Sequence, residues 1–311
     1  MRSFKEKIKY DLLYGLAKRL ASIYFFKPYA HHKDKLSCEP FFILGSGRNG
    51  STLLASTLSQ YQNIHIPPEQ FVLPYAIMKF RLFNFFSWKR LMKIIWSDYK
   101  KSGNTTNWKF YQSDLRESKS LRGILDKIYS SSTNKKFKIW GDKTPQNTYF
   151  IKHIFPVYPH AKYVFIIRDG RDVVNSLVKM MRVNKKYQSY TEHNLLQKAT
   201  NLWNESVNVY EWLKDKGANL LLVRYEDFTS YPNQTINKLS SFLNVDLGNL
   251  QEVEKAKSMG VNKMAHHQNL SKPISTDSIG KWRSELSKEH LTLIQPLIEE
   301  KLKKFNYIMN E

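Results

Sequence analysis

One stretch near the start of the chain constrains the fold more than any other: an unbroken apolar run, a glycine-rich turn and then a helical pattern. Residues 41–44 read Phe-Phe-Ile-Leu, and a short apolar run of this kind predicts a strand buried on both faces. A tight loop follows over residues 45–50, and residues 51–61 place leucines at helical spacing. The main domain therefore opens with a strand–loop–helix unit, which is typical of parallel α/β folds.

The same alternation recurs farther along the chain. Apolar runs at residues 137–140, 163–167 and 220–223 each end in polar or glycine-containing turns. Helical patterns follow at residues 173–178 and, near the end of the chain, at 286–305. Strands that alternate with helices predict a parallel β-sheet flanked by helices.

Two segments stand apart from this alternation. Residues 71–132 are aromatic and basic, and they read as a helical insertion within a single domain over 39–311. Residues 1–38 carry apolar side chains at helical spacing among lysines, which predicts a basic amphipathic segment. Such a segment packs on the domain or lies on an anionic membrane, and residues 1–27 are the part suited to membrane contact.

Composition excludes several classes of protein. The 311 residues include a single cysteine, Cys38, which excludes a disulfide scaffold, a cysteine-rich zinc site and an iron–sulfur protein. Charge interrupts every apolar run before the roughly 18 residues of a transmembrane helix. The start of the chain lacks the uncharged apolar region of a secretory signal, so we expect a cytoplasmic protein.

The net charge predicts an anionic partner. The chain has 49 Lys and Arg against 27 Asp and Glu, a formal net charge of +22. Nucleic acid, a membrane surface, a polyanionic glycan and a phosphorylated small molecule all satisfy that charge. The basic and aromatic stretch 80–101 keeps a nucleic-acid-binding protein as the non-enzyme alternative. It contains no recognisable nucleic-acid-binding motif, so we expect no nucleic-acid partner.

The glycine loop admits more than one anionic ligand, because backbone N–H groups at a helix N-terminus bind phosphate. Its spacing fits the dinucleotide pattern G-x-G-x-x-G, with Glu69 lying 19 residues beyond Gly50, which keeps an NAD(P)-dependent oxidoreductase as an alternative. The spacing also fits an ATP or GTP phosphate loop. A loop of that kind needs a lysine after its last glycine to reach the β- and γ-phosphates. Ser51 occupies that position here, which disfavours a kinase or NTPase.

The loop also resembles the 5′-phosphate loop of the sulfotransferases that use 3′-phosphoadenosine 5′-phosphosulfate (PAPS). In that family a basic residue precedes a small residue, a glycine and two hydroxyl residues, and here Asn49 stands where serine is common. The resemblance implies that the following residues bind the donor: Gly47, Arg48, Asn49, Gly50, Ser51 and Thr52.

A second motif resembles the family's 3′-phosphate site. Arg168 ends the strand at 163–167, and Ser176 follows eight positions later. A guanidinium and a hydroxyl both donate hydrogen bonds to phosphate oxygens. This pair, coupled to the glycine loop, favours a sulfotransferase over a dehydrogenase, which would leave the pair unexplained.

Two further elements follow in the family's order. Tyr225 matches a tyrosine near the adenine at a strand end, and Lys281, Trp282 and Arg283 resemble the C-terminal Gly-Lys-Trp segment that closes over the nucleotide. The resemblance covers roughly residues 40–286. It implies an α/β fold like that of the P-loop NTPases, in its sulfotransferase form with a helical insertion.

The resemblance implies that a sulfuryl group moves in line from PAPS to a hydroxyl or amine, leaving 3′,5′-ADP. Glu69 is the candidate general base, since it lies 21 residues after Arg48, about the distance found in the protein-tyrosine sulfotransferases. His65 and then Asp142 are the alternatives. Lys143 resembles the family's second active-site lysine, which with Arg48 neutralises the leaving group.

We expect no metal, because the chain has no His, Cys or Asp cluster with metal-ligand spacing. The pairs His31-His32 and His266-His267 are not a ligand signature. Ser271 resembles a family serine near the 3′ end of the active site, and His266-His267 align at the same place. Residues 71–132 are expected to line the acceptor site, and their aromatic and basic side chains favour a carbohydrate or another polyanionic acceptor.

Overall fold

A parallel β-sheet organises the computed structural model, which describes residues 27–101, 118–248 and 274–307 together with 11–12 and 15–16. Its strands are β1 (Phe41–Leu44), β2 (Ile64–His65), β3 (Ile139–Asp142), β4 (Lys162–Ile167) and β5 (Asn219–Arg224). They lie in the order β2-β3-β1-β4-β5, and every pairing is parallel. The predicted α/β class is confirmed.

Helices connect the strands and cover both faces of the sheet. Those of the described residues are α1 (Ser51–Leu58), α2 (Leu73–Leu82), α3 (Trp88–Lys101), α4 (Leu121–Ser130), α5 (Pro145–Tyr149), α6 (Ile151–Ile154), α7 (Gly170–Arg182), α8 (Glu192–Asp215), α9 (Tyr225–Ser230), α10 (Pro232–Leu243), α11 (Trp282–Glu285) and α12 (Lys288–Lys304). None of them is both long enough and apolar enough to span a bilayer.

Burial on both faces explains why β1 is apolar throughout. Successive strand residues point to opposite faces. Phe42 and Leu44 join an apolar cluster with α2–α4, α7 and α8, whereas Phe41 and Ile43 join a second cluster with α1 and α10. All four side chains are at most 2% exposed. Solvent therefore reaches neither face of β1.

The strand order brings three loops to one edge of the sheet. β1 lies between β3 and β4, so residues 45–50, 143–144 and 168–169 leave neighbouring strands at their carboxyl ends. Loops at this edge form the ligand sites of open α/β sheets. The same order places β3 between β1 and β2. Glu69 therefore does not follow a strand adjacent to β1, as the ribose-binding acid of a dinucleotide fold would.

The inserted region 71–132 contributes helices α2, α3 and α4, and these pack into the same apolar cluster as the sheet. Ile77, Ile95 and Ile124, one from each helix, have no exposed surface. The insertion thus supplies part of the core.

Residues 27–38 contain no helix and run along α4. The Arg122 N–H donates to the Tyr29 carbonyl at 2.8 Å, and Ser37 donates to Asp126 through its N–H (2.8 Å) and its hydroxyl (2.5 Å). Most of the amphipathic helix expected over residues 1–38 lies outside the described residues. Residues 11–12 and 15–16 are helical.

Candidate active site

The glycine loop holds its shape through its two outer glycines. Gly45 (φ 142°) and Gly50 (φ 92°) have positive φ angles that L side chains rarely adopt. A Cβ at Gly50 would lie 2.3 Å from the Tyr225 ring, whereas one at Gly47 would meet only Leu177 at 3.6 Å. Tyr225 therefore packs directly under the loop, and the middle of the loop is open.

Asn49 fastens the loop to the sheet. Its Nδ2 donates to the Ile166 carbonyl at 2.7 Å, and its Oδ1 accepts from the Ser51 N–H at 3.1 Å. The side chain has no exposed surface. The amide at this position therefore bonds within the protein and holds the loop against β4.

Two arginines meet where the loop after β1 faces the end of β4. Arg48 Nε donates to Ser176 Oγ at 3.0 Å, and Arg168 Nη1 donates to the Arg48 carbonyl at 3.2 Å. Burial, and secondly the Arg168 charge, lower the pKa of Arg48. Arg168 Nε is buried and has no hydrogen-bond partner in the described part of the chain. A buried arginine with an unused donor beside a half-buried one fits a phosphate group.

The C-terminal segment 278–283 closes against this arginine pair. Arg168 donates to the Ser278 carbonyl and lies 3.6 Å from Asp172. Asp172 in turn accepts from the N–H groups of Gly280 (2.8 Å) and Trp282 (3.0 Å). Burial raises the pKa of Asp172, an effect that Arg168 and the two N–H donors oppose. The predicted C-terminal and 3′-phosphate motifs thus lie together.

Within that segment the three singled-out side chains differ in environment. Trp282 is 6% exposed and has the Arg171 guanidinium 3.9 Å from its ring centre. Lys281 and Arg283 are exposed, and Arg283 lies 4.6 Å from the same ring centre. Trp282 therefore anchors the segment, and its two neighbours supply positive charge at the surface.

The third group is a lysine, a carboxylate and a hydroxyl from three different elements. Lys143 Nζ donates to Thr52 Oγ1 at 3.0 Å and forms an ion pair with Glu69. The Lys143 side chain is 1% exposed and that of Glu69 is 20% exposed. A buried cation is thus held beside a carboxylate that solvent can reach. Sequence reasoning selected all three residues, and the fold brings them together.

Asp142, the third candidate base, points into the protein. The Tyr129 hydroxyl donates to its carboxylate, and Asp142 is only 3% exposed. Burial is the main cause that raises the pKa of Asp142. Tyr129 stacks on Trp140 with ring centres 4.3 Å apart. Sequence reasoning missed Tyr129, because nothing in its surroundings in the chain distinguishes it from any other core tyrosine.

His65, the second candidate base, faces away from this group. Its Nε2 lies 2.5 Å from Ser132 Oγ, and its ring centre is 5.4 Å from that of Phe137. Both neighbours precede β3, at the end opposite Lys143. Burial and the nearby Lys135 lower the pKa of His65 to about 4. The imidazole is therefore neutral at pH 7, and the described contacts of its ring lie away from Lys143.

A second residue missed from sequence is Phe71. It has a φ of 49° and is 42% exposed, although Gln70 and Val72 on either side are 1% and 7% exposed. The Gln70 N–H donates to Thr144 Oγ1 at 3.4 Å, which ties this loop to the one carrying Lys143. A left-handed conformation is rare for an aromatic residue, and such strain concentrates at functional sites.

Ser271 and the pair His266-His267 lie outside the described residues. Among those described, no group of three or more His, Cys, Asp or Glu side chains is arranged to hold a metal ion.

Fold and site together define a parallel α/β protein with a glycine-rich loop, a paired-arginine site and a lysine–carboxylate group at one sheet edge. The sequence model of the sulfotransferase family matches residues 40–249. The chain belongs to the sulfotransferase family and is a transferase enzyme, which confirms the family prediction and decides against the dehydrogenase and non-enzyme alternatives.

Individual relatives agree with this assignment. The chain is 20% identical to protein-tyrosine sulfotransferase 1 of Danio rerio over 281 residues, covering 87% of this chain and 73% of that protein. It is 25% identical to protein-tyrosine sulfotransferase A of Caenorhabditis elegans over 264 residues, covering 78% of this chain and 61% of that one. The chain thus spans less than two thirds of the C. elegans relative.

Solved structures share the fold. The sulfotransferase domain from the curacin biosynthetic pathway superposes with a TM-score of 0.57 at 21% identity, covering 85% of this chain and 97% of that one. The sulfotransferase domain of the Synechococcus PCC 7002 olefin synthase gives the same score and identity, covering 90% and 100%.

The His65→Gln substitution tests the placement of His65. A folded-state pKa of about 4 lies below the unfolded value near 6.5, so stability is fully present above pH 6.5 and falls as the pH drops toward 4. Over that window the wild type should lose up to about 3 kcal/mol of unfolding free energy through this residue. The variant should lose less, as measured by urea denaturation at several pH values, and it should keep its turnover. A large loss of turnover would contradict this placement.

Proposed function

We propose that the chain transfers the sulfuryl group of PAPS to a hydroxyl group on an acceptor, leaving 3′,5′-ADP. The observation that carries the proposal is the group Lys143, Glu69 and Thr52 beside the half-buried Arg48 and the buried Arg168. Lys143 and the arginine pair suit a donor with two anionic ends. The Glu69 carboxylate suits an acceptor that must lose a proton.

For the donor, the two anionic ends have separate partners. No side chain caps α1 at Gly50, so the helix N-terminus and the open loop at Gly47 suit the 5′-phosphate. The unused Arg168 Nε and the Ser176 hydroxyl suit the 3′-phosphate. The Tyr225 ring lies 4.7 Å from the Arg168 guanidinium and lines the site for the adenine ring of the donor. Lys281 and Arg283 add positive charge at its rim.

For the transfer, each residue has one task. Glu69 accepts the proton of the acceptor hydroxyl while that oxygen bonds to sulfur and the bond from sulfur to the 5′-phosphate oxygen breaks. Lys143 and Arg48 stabilise the negative charge that develops on the departing phosphate oxygen. Thr52 and Glu69 hold the Lys143 ammonium in place before the donor arrives. These cations supply the needed positive charge, so the proposal contains no metal.

For the acceptor, the surroundings of Glu69 favour a hydroxyl carried by a ring. Phe71 lies two residues away, and the Tyr75 hydroxyl accepts from Gln146 Nε2 at 3.2 Å, three residues beyond Lys143. Flat uncharged side chains stack on sugar rings and on phenols alike. A carbohydrate is the first candidate. A tyrosine phenol is the second, favoured by similarity to relatives named protein-tyrosine sulfotransferases.

The cytoplasmic location stays a prediction. The membrane contact of residues 1–27 also stays a prediction, because most of those residues lie outside the described ranges. The same holds for the expected absence of a nucleic-acid partner.

The Glu69→Gln substitution should lower kcat by about 10²- to 10⁴-fold, because the amide cannot accept the proton. The measurement is transfer of radiolabelled sulfate from PAPS to a tyrosine peptide or an oligosaccharide, whichever the wild type sulfates. Binding of 3′,5′-ADP should hardly change. Glu192→Gln, which alters an exposed ion pair with Arg182, is the matched control and should keep wild-type turnover. Wild-type turnover in Glu69→Gln would overturn the base assignment.

The Arg168→Ala substitution should weaken binding of 3′,5′-ADP by about 10- to 100-fold, the cost of losing charged hydrogen bonds to a phosphate. Titration calorimetry with 5′-AMP, which lacks the 3′-phosphate, should show a much smaller change. Arg182→Ala is the exposed control. Equal losses for the two nucleotides would place the 3′-phosphate elsewhere, and stabilisation of the wild type by NAD alone would remove PAPS as the donor.

The Phe71→Gly substitution separates strain from recognition. Glycine adopts a positive φ without cost, which offsets the lost apolar contact, so the unfolding free energy should stay within about 1 kcal/mol of wild type. The acceptor KM should rise several-fold while the PAPS KM stays constant. Phe85→Ala, which truncates another exposed phenylalanine, should change neither constant. An unaltered acceptor KM in Phe71→Gly would exclude Phe71 from the acceptor site.

A further inference from the structure

The turn between α2 and α3 carries a surface that the sulfuryl-transfer chemistry does not use. We define the α2–α3 tip as residues 81–93. Phe85 is 61% exposed at its apex, and Lys89, Arg90 and Lys93 are exposed beside it. Since α2 begins at Leu73, next to the Glu69 loop, and rises about 1.5 Å per residue, the tip lies roughly 15 Å from the transfer site.

The charge around the tip is entirely positive. Residues 70–97 contain five Lys and Arg and no Asp or Glu. Five of the 49 basic residues of the chain therefore lie on one helical hairpin, and they surround an apolar apex. Exposed apolar side chains ringed by cations are the composition of surfaces that sit on anionic bilayers.

The apex is held rigidly although its phenylalanine is exposed. Asn84, 1% exposed, accepts from the Lys27 N–H at 2.5 Å through Oδ1 and from Lys27 Nζ at 2.6 Å through its carbonyl. Lys79 and Asp98 join the two helices by an ion pair of 2.7 Å. These contacts hold the hairpin in a folded, hydrogen-bonded conformation that leaves the Phe85 side chain exposed.

The aromatic side chains around the apex favour a bilayer over unpaired bases. Phe83 and Phe86 stack on each other with ring centres 5.6 Å apart, and the Arg90 guanidinium lies 3.9 Å over Phe86. The Phe86 ring is therefore covered on both faces, and Phe85, which packs edge-on against Phe86 with ring centres 4.4 Å apart, is the ring that projects. A single projecting ring suits insertion among acyl chains, whereas single-strand binding uses several open ring faces.

We propose that the α2–α3 tip docks the enzyme on an anionic lipid bilayer, with Phe85 entering the interface and Lys89, Arg90 and Lys93 over the lipid phosphates. Each cation near an anionic surface contributes about fivefold to partitioning, and insertion of Phe85 about tenfold.

The test is co-sedimentation of the full chain with vesicles of phosphatidylcholine alone and of phosphatidylcholine mixed with phosphatidylglycerol. The tip variant combines Phe85→Ser, Lys89→Glu and Arg90→Glu. The matched control combines Val183→Ser, Lys185→Glu and Lys186→Glu, because Val183 is 85% exposed between exposed cations elsewhere. The wild type and the control should bind the anionic vesicles, and the tip variant should bind at least about 100-fold more weakly.

Three results would overturn the proposal: equal binding of the wild type to both vesicle types, equal losses in the tip and control variants, or loss of single-stranded oligonucleotide binding alone in the tip variant. Affinity for 3′,5′-ADP and the circular dichroism spectrum should be unchanged in both variants. If the combined tip variant does not fold, Phe85→Ser alone, which removes no core contact, should still lose about tenfold of vesicle binding.

Discussion

Placing two arginines next to each other in a partly buried site is the constraint on which the rest of this structure depends. Like charges in a medium less polar than water repel strongly, and the lowered pKa of Arg48 reflects both burial and that proximity. The protein compensates for Arg168 with the Asp172 carboxylate and the Ser278 carbonyl. The indole N–H of Trp203 also fixes the Arg168 carbonyl at 3.1 Å. These contacts leave the Arg168 Nε without a hydrogen-bond partner among the described residues.

The sheet makes such a pair feasible. Because β1 lies between β3 and β4, the loops after three adjacent strands emerge at one edge, and side chains far apart in the chain become neighbours. Arg48 reaches Ser176 across 128 positions, and Lys143 reaches Thr52 across 91. Long-range contacts of this kind depend on the strand order, and the strand order depends on the buried apolar runs that specify the strands.

The parts of the molecule that sequence reasoning anticipated are those with local signatures. Unbroken apolar runs predicted the strands, and the glycine loop predicted the helix N-terminus. The spacing of Arg168 and Ser176 also paired these two residues, and both contact Arg48. What it could not anticipate depends on non-local geometry: the left-handed backbone of Phe71, the hydroxyl of Tyr129 on Asp142, and the turning of His65 toward Ser132. None of these has a pattern in its own neighbourhood, because each is decided by what another element brings beside it.

The bonds between the paired-arginine site and the C-terminal segment have a consequence for how this chain can vary. They reach backbone atoms there: the carbonyl of Ser278 and the N–H groups of Gly280 and Trp282. Every residue type offers a carbonyl, and all except proline offer an N–H. Substitutions at positions 278 and 281 therefore leave these bonds intact. Inserting or deleting a single residue between 278 and 282 would move the bonded backbone atoms out of place. In related sequences the length of this segment should be conserved more strictly than its residue types.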